Sequence, residues 1–352
     1  LHEQAAAISA EAYSRISENI GVAMVTTGPG ATNAITAVAG AWIESVPLII
    51  ISGQCKRSDM LRDSPLRQKG VQEVDIVKMV KSITKYSIIV ENPEDIRSVM
   101  EKAYHIAKDG RAGPVWIDVP LDVQGAPVVV KDLLPWSEKD IDALKIKTIS
   151  DITIQSIEDL IKSAKRPLIL AGHGIRLANS AKAFREWVEE LEVPVVSTWN
   201  ALDLLPYNHP LYVGKPGVVA LRGPNFAVQN CDLLISIGCR LDNIITAYNS
   251  NGFARGAKKI VVDVDSNEIS KLEMDIEISV AADAGDFINA VKDLKITPSD
   301  NQEKWRLLCN DWKLRYAIND GKPFPKKGVI SHYHLADALS ENIPKDTLIS
   351  TG

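Results

Sequence analysis

The stretch that decides the fold joins an apolar run to a glycine-containing turn: Val22-Ala23-Met24-Val25-Thr26-Thr27-Gly28-Pro29-Gly30-Ala31-Thr32-Asn33. The run is apolar on both faces of a strand, and an alanine-rich helix is predicted from about residue 32 to 42. Residues 47–52 and 114–119 form two further runs of the same character. Strands that are apolar on both faces indicate a parallel sheet covered by helices on each side, so the first unit is predicted to be α/β.

Helices are also predicted at residues 4–16 and 93–108, the second with Asn92 as its N-cap and Pro93 at its first position. After a segment rich in Pro, Lys and Asp, the alternation returns. Its predicted strands are residues 165–171, 193–197, 232–237 and 259–264. A second doubly wound sheet follows from this pattern.

A third unit is predicted to begin with a helix at 334–342 and a strand at 347–350. The fold class is therefore α/β, with successive doubly wound parallel-sheet domains. We predict a first domain over residues 1–125, a linker over 126–153, a Rossmann-like central domain over 154–312 and the beginning of a further domain over 328–352.

Composition excludes several classes of protein. The net charge is −5, and acidic and basic residues are interspersed along the sequence. This pattern favours neither nucleic acid nor a membrane surface as a partner. No run approaches the ~20 apolar residues that a membrane span needs. The four cysteines include no CxxC pair, which is typical of reduced thiols, and we expect a cytoplasmic protein. No residues have metal-ligand spacing, so no metal site is predicted in this chain.

The turn at Gly28-Pro29-Gly30 follows a strand and opens a helix, so its backbone N–H groups could face an anion or a polar ring. It matches neither a P-loop nor GxGxxG. Taken alone, it is better explained by a strand-to-helix turn that needs glycine. Glu3 is weaker still, because an acid in the first turn of a helix commonly just complements the helix dipole.

An ordered series of motifs changes this interpretation. They are Leu1-His2-Glu3-Gln4-Ala5-Ala6, Ala12-Tyr13-Ser14-Arg15, the Gly28–Asn33 turn, Val46-Pro47-Leu48-Ile49, Ser52-Gly53-Gln54, Gln72-Glu73-Val74-Asp75, Gly113-Pro114-Val115 and Asp118-Val119-Pro120-Leu121-Asp122-Val123-Gln124. In this order they resemble thiamine-diphosphate-dependent enzymes of the acetolactate synthase type. The resemblance extends over essentially the whole chain, from the pyrimidine-binding domain through the central domain to the start of the diphosphate-binding domain.

The resemblance implies a role for Glu3. Its carboxyl would hydrogen-bond the ring nitrogen N1′ of the cofactor's aminopyrimidine and so promote loss of the thiazolium C2 proton, in a mostly apolar pocket. Gln72 would lie near cofactor and substrate as the second catalytic residue. The implied residues on the thiamine diphosphate side are Gly28, Pro29, Gly30, Asn33 and Gln54. For Gln54, a polar residue that closes a strand remains an equal alternative.

In the central domain the resemblance raises FAD. The residues implied for FAD or another nucleotide are Gly172, Gly174, Gly238, Arg240 and Asp263. Strand ends at the carboxyl edge of an open α/β sheet are where ligands bind, and a guanidinium suits a diphosphate. Asn243, Ile244 and the 215–219 loop depart from the family pattern, so a domain without nucleotide stays open.

The implied activity is decarboxylation of a pyruvate-like 2-oxo acid with transfer of the acyl-anion equivalent to an acceptor. Val71 stands where the family has Phe, and Leu121 where it has Lys, which leaves a simple decarboxylase open. A non-catalytic binding or structural protein of this fold is the other alternative.

The family's Gly-Asp-Gly motif, whose Asp binds Mg²⁺ with a later Asn, does not occur in the sequence. We therefore expect a fragment, truncated at both ends and inactive alone, with the Mg²⁺ ligands outside this chain. The resemblance also implies a homodimer or homotetramer with the active site between subunits.

Overall fold

The computed structural model describes residues 2–137, 149–344 and 347–349. It divides the chain into two compact units, Leu1–Lys147 and Thr148–Gly352. The domain bounds predicted above, including a further domain from residue 328, stay predictions. Part of the predicted linker, residues 138–148, lies outside the described residues.

Helices and strands alternate along the first unit. Its elements are α1 Glu3–Ser17, β1 Gly21–Val25, α2 Pro29–Asn33, α3 Ile35–Glu44, β2 Leu48–Gln54, α4 Ile76–Val80, β3 Tyr86–Ile89, α5 Ile96–Lys108, β4 Pro114–Pro120 and α6 Leu121–Gln124. All strand pairs are parallel, in the order β1-β2-β4-β3. The predicted α/β fold is confirmed.

The two central strands of this sheet are covered on both faces, as predicted. On β2, Leu48 and Ile50 belong to a core with α1 and α3, whereas Ile49 packs against α5 on the opposite face. The prediction was wrong for β1, however. Among the described residues nothing covers one face of this edge strand, and Val22 and Met24 are 53% and 77% exposed.

The second unit has a larger parallel sheet with the strand order β10-β9-β8-β5-β6-β7. Its elements are α7 Asp151–Ser163, β5 Pro167–Ala171, α8 Gly174–Leu177, α9 Ala181–Leu191, β6 Val195–Ser197, β7 Tyr212–Gly214, α10 Arg222–Asn230, β8 Leu233–Ile237, α11 Asn243–Thr246, β9 Lys258–Asp263, α12 Ser266–Ser270, β10 Ile278–Ala281, α13 Ala284–Val291, α14 Asp300–Arg315 and α15 His332–Asn342. The chain winds outward from β5 in both directions, which places the topological switch point between β5 and β8.

One local prediction, Asn92 as the N-cap followed by Pro93, is confirmed in position only, and another was wrong. Asn92 precedes a 3₁₀ turn at Pro93–Asp95 that leads into α5, but its side chain caps no backbone N–H. Instead its amide donates to the Asp95 carboxylate at 3.1 Å. The strand expected at 347–350 is not formed over the described residues 347–349, and residue 350 lies outside them.

Candidate active site

Glu3 is the first residue of α1, and it meets the end of the helix that the glycine turn opens. The Asn33 amide nitrogen donates to Glu3 Oε2 at 3.0 Å. This hydrogen bond is the main reason why the pKa of Glu3 lies below its ordinary value, with a smaller contribution from a backbone N–H. The half-exposed carboxylate is thus held in its charged form. The mostly apolar pocket expected around it is not provided by the described residues.

The two glycines of the turn are required by different neighbours. Gly28 has φ +63°, and a Cβ there would lie 2.1 Å from the Gln72 carbonyl oxygen. At Gly30 a Cβ would lie 2.5 Å from Thr26 Cγ2 and 3.3 Å from Glu3 Oε1. Pro29 occupies the first helical turn of α2. The turn therefore brings backbone close to the Glu3 carboxylate, where a larger residue would not fit.

Gln72 lies beside the same turn, because its backbone carbonyl and Cβ are the atoms closest to Gly28. Its side chain is exposed, and its backbone has φ +56°. The neighbouring Glu73 carboxylate accepts from the backbone N–H groups of Leu61 and, at 3.0 Å, of Gly70. Glu73 thus folds the preceding loop back and presents Gln72 at the turn.

Gln54 is buried, and its amide joins four groups. Its Oε1 accepts from Thr27 Oγ1 at 3.2 Å and from the Cys55 backbone N–H at 3.0 Å. Its Nε2 donates to the Val74 carbonyl at 2.9 Å and to Asp118 Oδ2 at 3.0 Å. Two donors and two acceptors fill the capacity of a side-chain amide. Because all four hydrogen bonds go to protein groups, the geometry favours a structural role for Gln54. Direct contact between Gln54 and the cofactor stays a prediction.

Sequence reasoning missed Asp118 as part of this arrangement. Asp118 is fully buried on β4, and besides Gln54 it accepts a hydrogen bond of 2.5 Å from Ser52 Oγ. Burial raises the pKa of Asp118 to about 6, against the lowering effect of these two hydrogen bonds. The available signal was a lone acid within the apolar run 114–119, since buried charged groups are rare without partners.

In the second unit, three of the glycines predicted for nucleotide binding lie together at the switch point. A Cβ on Gly172 would lie 2.0 Å from the Gly238 carbonyl oxygen, and one on Gly174 would lie 2.7 Å from Gly238 Cα. The Gly174 N–H donates to the Gly238 carbonyl at 3.0 Å. Close packing of the two strand ends therefore requires these glycines whether or not a ligand binds.

The two charged residues predicted for the same site follow neighbouring strands. Arg240 is half-buried just after β8. Asp263 ends β9, is nearly buried, and accepts from the Asp265 backbone N–H at 2.9 Å. Both therefore lie at the carboxyl edge of the sheet, where open α/β sheets bind ligands.

Comparison with known proteins identifies the family. Residues 1–79 match the family described as "Thiamine pyrophosphate enzyme, N-terminal TPP binding domain", and residues 154–291 match "Thiamine pyrophosphate enzyme, central domain". The chain belongs to the thiamine pyrophosphate enzymes. The first match contains Glu3, the glycine turn and Gln72, and the second contains the switch-point glycines of the larger sheet.

Acetolactate synthase large subunits are similar to this family member over nearly its whole length. The protein of Corynebacterium glutamicum is 36% identical over 358 residues, which cover 100% of this chain and 55% of that relative. The isozyme 1 large subunit of Escherichia coli is 33% identical, with 99% and 59% covered, and the large subunit of Lactococcus lactis is 33% identical, with 99% and 58% covered. The chain thus spans less than two thirds of these relatives.

Among the described residues, no helix is long and apolar enough to cross a membrane. Within the same residues, no group of three or more His, Cys, Asp or Glu side chains could hold a metal ion.

Proposed function

We propose that the protein containing this chain is a thiamine-diphosphate-dependent enzyme that decarboxylates a pyruvate-like 2-oxo acid and transfers the acyl-anion equivalent to an acceptor, as an acetolactate synthase does. The observation that carries this proposal is the pairing of Glu3 with Asn33 beside the Gly28-Pro29-Gly30 turn. It lies in the segment that matches the thiamine-binding domain.

The residues present suit the pyrimidine end of the cofactor. Asn33 holds Glu3 Oε2, while Oε1 lies on the side of Gly30, where a side chain would not fit. Glu3 is thus oriented to hold a proton at the pyrimidine ring nitrogen. The cofactor itself, when bound, supplies the carbon nucleophile and the electron sink. Gln72 would contact cofactor or substrate, and its exposure beside the turn supports this role.

The decisive experiment is Glu3→Gln in the complete protein, with decarboxylation and exchange of the C2 proton as readouts. We expect both rates to fall by about 100-fold or more, the range of a general acid–base contribution. Glu11→Gln is the matched control, because Glu11 lies on the same helix and its carboxylate forms a half-buried ion pair with Arg15. Equal rates in Glu3→Gln and wild type would favour the alternative of a non-catalytic protein that keeps the fold.

Transfer to an acceptor is separated from simple decarboxylation by the products. Val71 and Leu121, the two departures from the family pattern, are 81% and 55% exposed in the first unit. Incubation of the complete protein with pyruvate and candidate aldehyde or 2-oxo acid acceptors should give acetolactate-type products. Acetaldehyde as the only product would instead support the simple decarboxylase.

For the second unit we propose a nucleotide, with FAD as the candidate, at the switch point formed by Gly172, Gly174 and Gly238. Arg240 would contact the diphosphate and Asp263 the ribose or adenine side. The support is the shared carboxyl edge of the sheet on which these residues lie. Purified complete protein should be yellow and release flavin on denaturation. A colourless, flavin-free protein would leave the central domain with a structural role.

The remaining proposals concern partners. Mg²⁺ would bind the cofactor's diphosphate; the family's Gly-Asp-Gly motif does not occur in this sequence. We propose a homodimer or homotetramer with the site between subunits, supported by a Glu3 carboxylate that stays half-exposed within its own unit. Light scattering on the complete protein tests the assembly. A cytoplasmic location stays a prediction from the cysteine content, and cell fractionation tests it.

A further inference from the structure

A chain of buried hydrogen bonds joins β2 and β4 of the first unit, next to the glycine turn. The Trp116 indole N–H donates to Ser52 Oγ at 2.8 Å, and Ser52 Oγ donates to Asp118 Oδ1. The Gln54 amide donates to Asp118 Oδ2. The strand register explains this arrangement, because Ser52 of β2 lies directly opposite Asp118 of β4. Two side chains of β2 thus meet at the Asp118 carboxylate of β4, and Trp116 is joined to it through Ser52.

The hydrogen bonds of this chain run toward Asp118, directly from Ser52 and Gln54 and through Ser52 from Trp116. The Trp116 indole can only donate, so the Ser52 hydroxyl uses its single proton toward the carboxylate. The orientation of the Gln54 amide follows from its partners in the same way. Its nitrogen must face the Val74 carbonyl, which can only accept, and its oxygen must face the Cys55 N–H, which can only donate. The carboxylate therefore reinforces one of the two orientations of the Gln54 amide.

That orientation ties together two segments of the candidate site. Through Oε1, Gln54 holds Thr27, the residue before Gly28. Through Nε2, it holds the Val74 carbonyl, two residues after Gln72. The Thr27 hydroxyl also lies 3.5 Å from the Gln72 carbonyl, so the two segments touch where Gln54 joins them. Gln54 therefore acts as a clamp between the glycine turn and the Gln72 segment.

We propose that Asp118 is a positioning residue, whose buried carboxylate orients the Gln54 amide and thereby fixes the spacing between the glycine turn and the Gln72 segment. Asp118 acts through Gln54 and contacts neither cofactor nor substrate in this role. The structural part of the proposal stands on the hydrogen bonds alone. Its catalytic consequence rests on the proposed function, because only there do Glu3 and Gln72 need a fixed spacing.

The test compares three variants of the complete protein by hydrogen exchange of peptides covering residues 26–33 and 70–75. Asp118→Ala removes the acceptor, and we expect exchange in both segments to become about tenfold faster. Asp118→Asn keeps one oxygen that can accept from Gln54, so exchange should stay within about twofold of wild type. Ser52→Ala is the matched control, since it removes the other hydrogen bond to the same carboxylate and leaves the Gln54 clamp. It should lower thermal stability but leave exchange in both segments within about twofold, on the same hydrogen-bond argument.

A second readout is kinetic. The kcat for the 2-oxo acid should fall about tenfold in Asp118→Ala and recover in Asp118→Asn. If Asp118→Ala does not fold, Gln54→Met, which removes the clamp and retains the length of the side chain, carries the same expectation for exchange.

The outcomes separate the two levels of inference. Faster exchange in both segments supports the clamp even if no variant, wild type included, has activity, and that combination would count against the proposed function only. Equal exchange in Asp118→Ala and wild type, or acceleration in Ser52→Ala as large as in Asp118→Ala, would overturn the positioning role. Acceleration of only one of the two segments would overturn it as well.

Discussion

Replacing Asp118 by Asn should stabilise the first unit, and the gain should grow with pH. Burial raises the pKa of the Asp118 carboxyl to about 6 in the folded chain, against about 3.9 in an unfolded one. The folded state therefore favours the neutral form. The stability that the raised pKa of Asp118 contributes is fully present below pH 4 and is lost as the pH rises through 6.

The magnitude follows from the difference between the two pKa values. The two pKa values differ by about two, and each whole number of pKa difference corresponds to about 1.4 kcal/mol, which gives about 3 kcal/mol in total. About 2 kcal/mol of this falls between pH 4 and pH 8. Asparagine is neutral throughout, so the free energy of unfolding of the variant minus that of wild type should increase by this amount across the range. Any pH-independent effect of the substitution on packing cancels in this comparison.

Hydrogen exchange of the β2 and β4 amides is the appropriate assay, because a chain of two units need not unfold in one step. Each variant is compared with wild type at the same pH. Among the groups around Asp118, Asp75 raises its pKa slightly by charge repulsion. Asp75 stays the same in both proteins and does not alter the sign of the comparison.

Asp122→Asn is the control, because it should not show this trend between pH 4 and pH 8. Arg57 donates to Asp122 from its backbone and its guanidinium, which lowers the pKa of that carboxyl. The stability that this pair contributes is present above the unfolded pKa of about 3.9 and is lost as the pH falls below it, so the difference between this variant and wild type should stay nearly constant between pH 4 and pH 8. A difference between Asp118→Asn and wild type that does not change with pH would refute the reasoning.

Three further variants test packing around the sites. Gly30→Ala should destabilise the first unit by about 1–3 kcal/mol through overpacking, and adding Thr26→Ser, which removes the clashing methyl group, should restore part of the loss in urea unfolding. Lys313→Met should cost the second unit about 1–3 kcal/mol, measured by exchange in α14, because the Tyr207 carbonyl loses the Lys313 donor, whereas the His209 carbonyl keeps the Tyr212 N–H. Ser299→Ala should cost about 1 kcal/mol in the same assay, because it removes the capping box of α14.

The sequence allowed the central strands and the edge strand β1 to be predicted, but not the other edges of the sheets. β2 and β4 are continuous apolar runs because both of their faces are buried, and such runs are visible without a structure. The edge strands β3, β7 and β10 have only three or four residues each and were missed. The exposure of Val22 and Met24 could not be predicted, since an apolar residue does not reveal whether anything covers it.

In the candidate site, the features that lie within one stretch of sequence could be predicted. The glycine turn and its proximity to Glu3 followed from a motif within one stretch and from the family resemblance. The Asp118 network did not, because it depends on the register that sets Ser52 opposite Asp118, 66 residues apart in sequence. Two polar residues within apolar runs were the only local sign of this pairing.

Glycines carry different weight in the two units. At the switch point, Gly172, Gly174 and Gly238 face one another's backbone, so the packing of strand ends already accounts for them, and their presence says little about a nucleotide. The case for a nucleotide must therefore come from Arg240 and Asp263. At the turn of the first unit, the neighbour that a Cβ on Gly30 would crowd includes a half-exposed carboxylate, Glu3. The closer neighbour of that Cβ is the Thr26 methyl group, so packing accounts for this glycine too, and what distinguishes the turn from the switch point is the charged Glu3 carboxylate that Asn33 holds there.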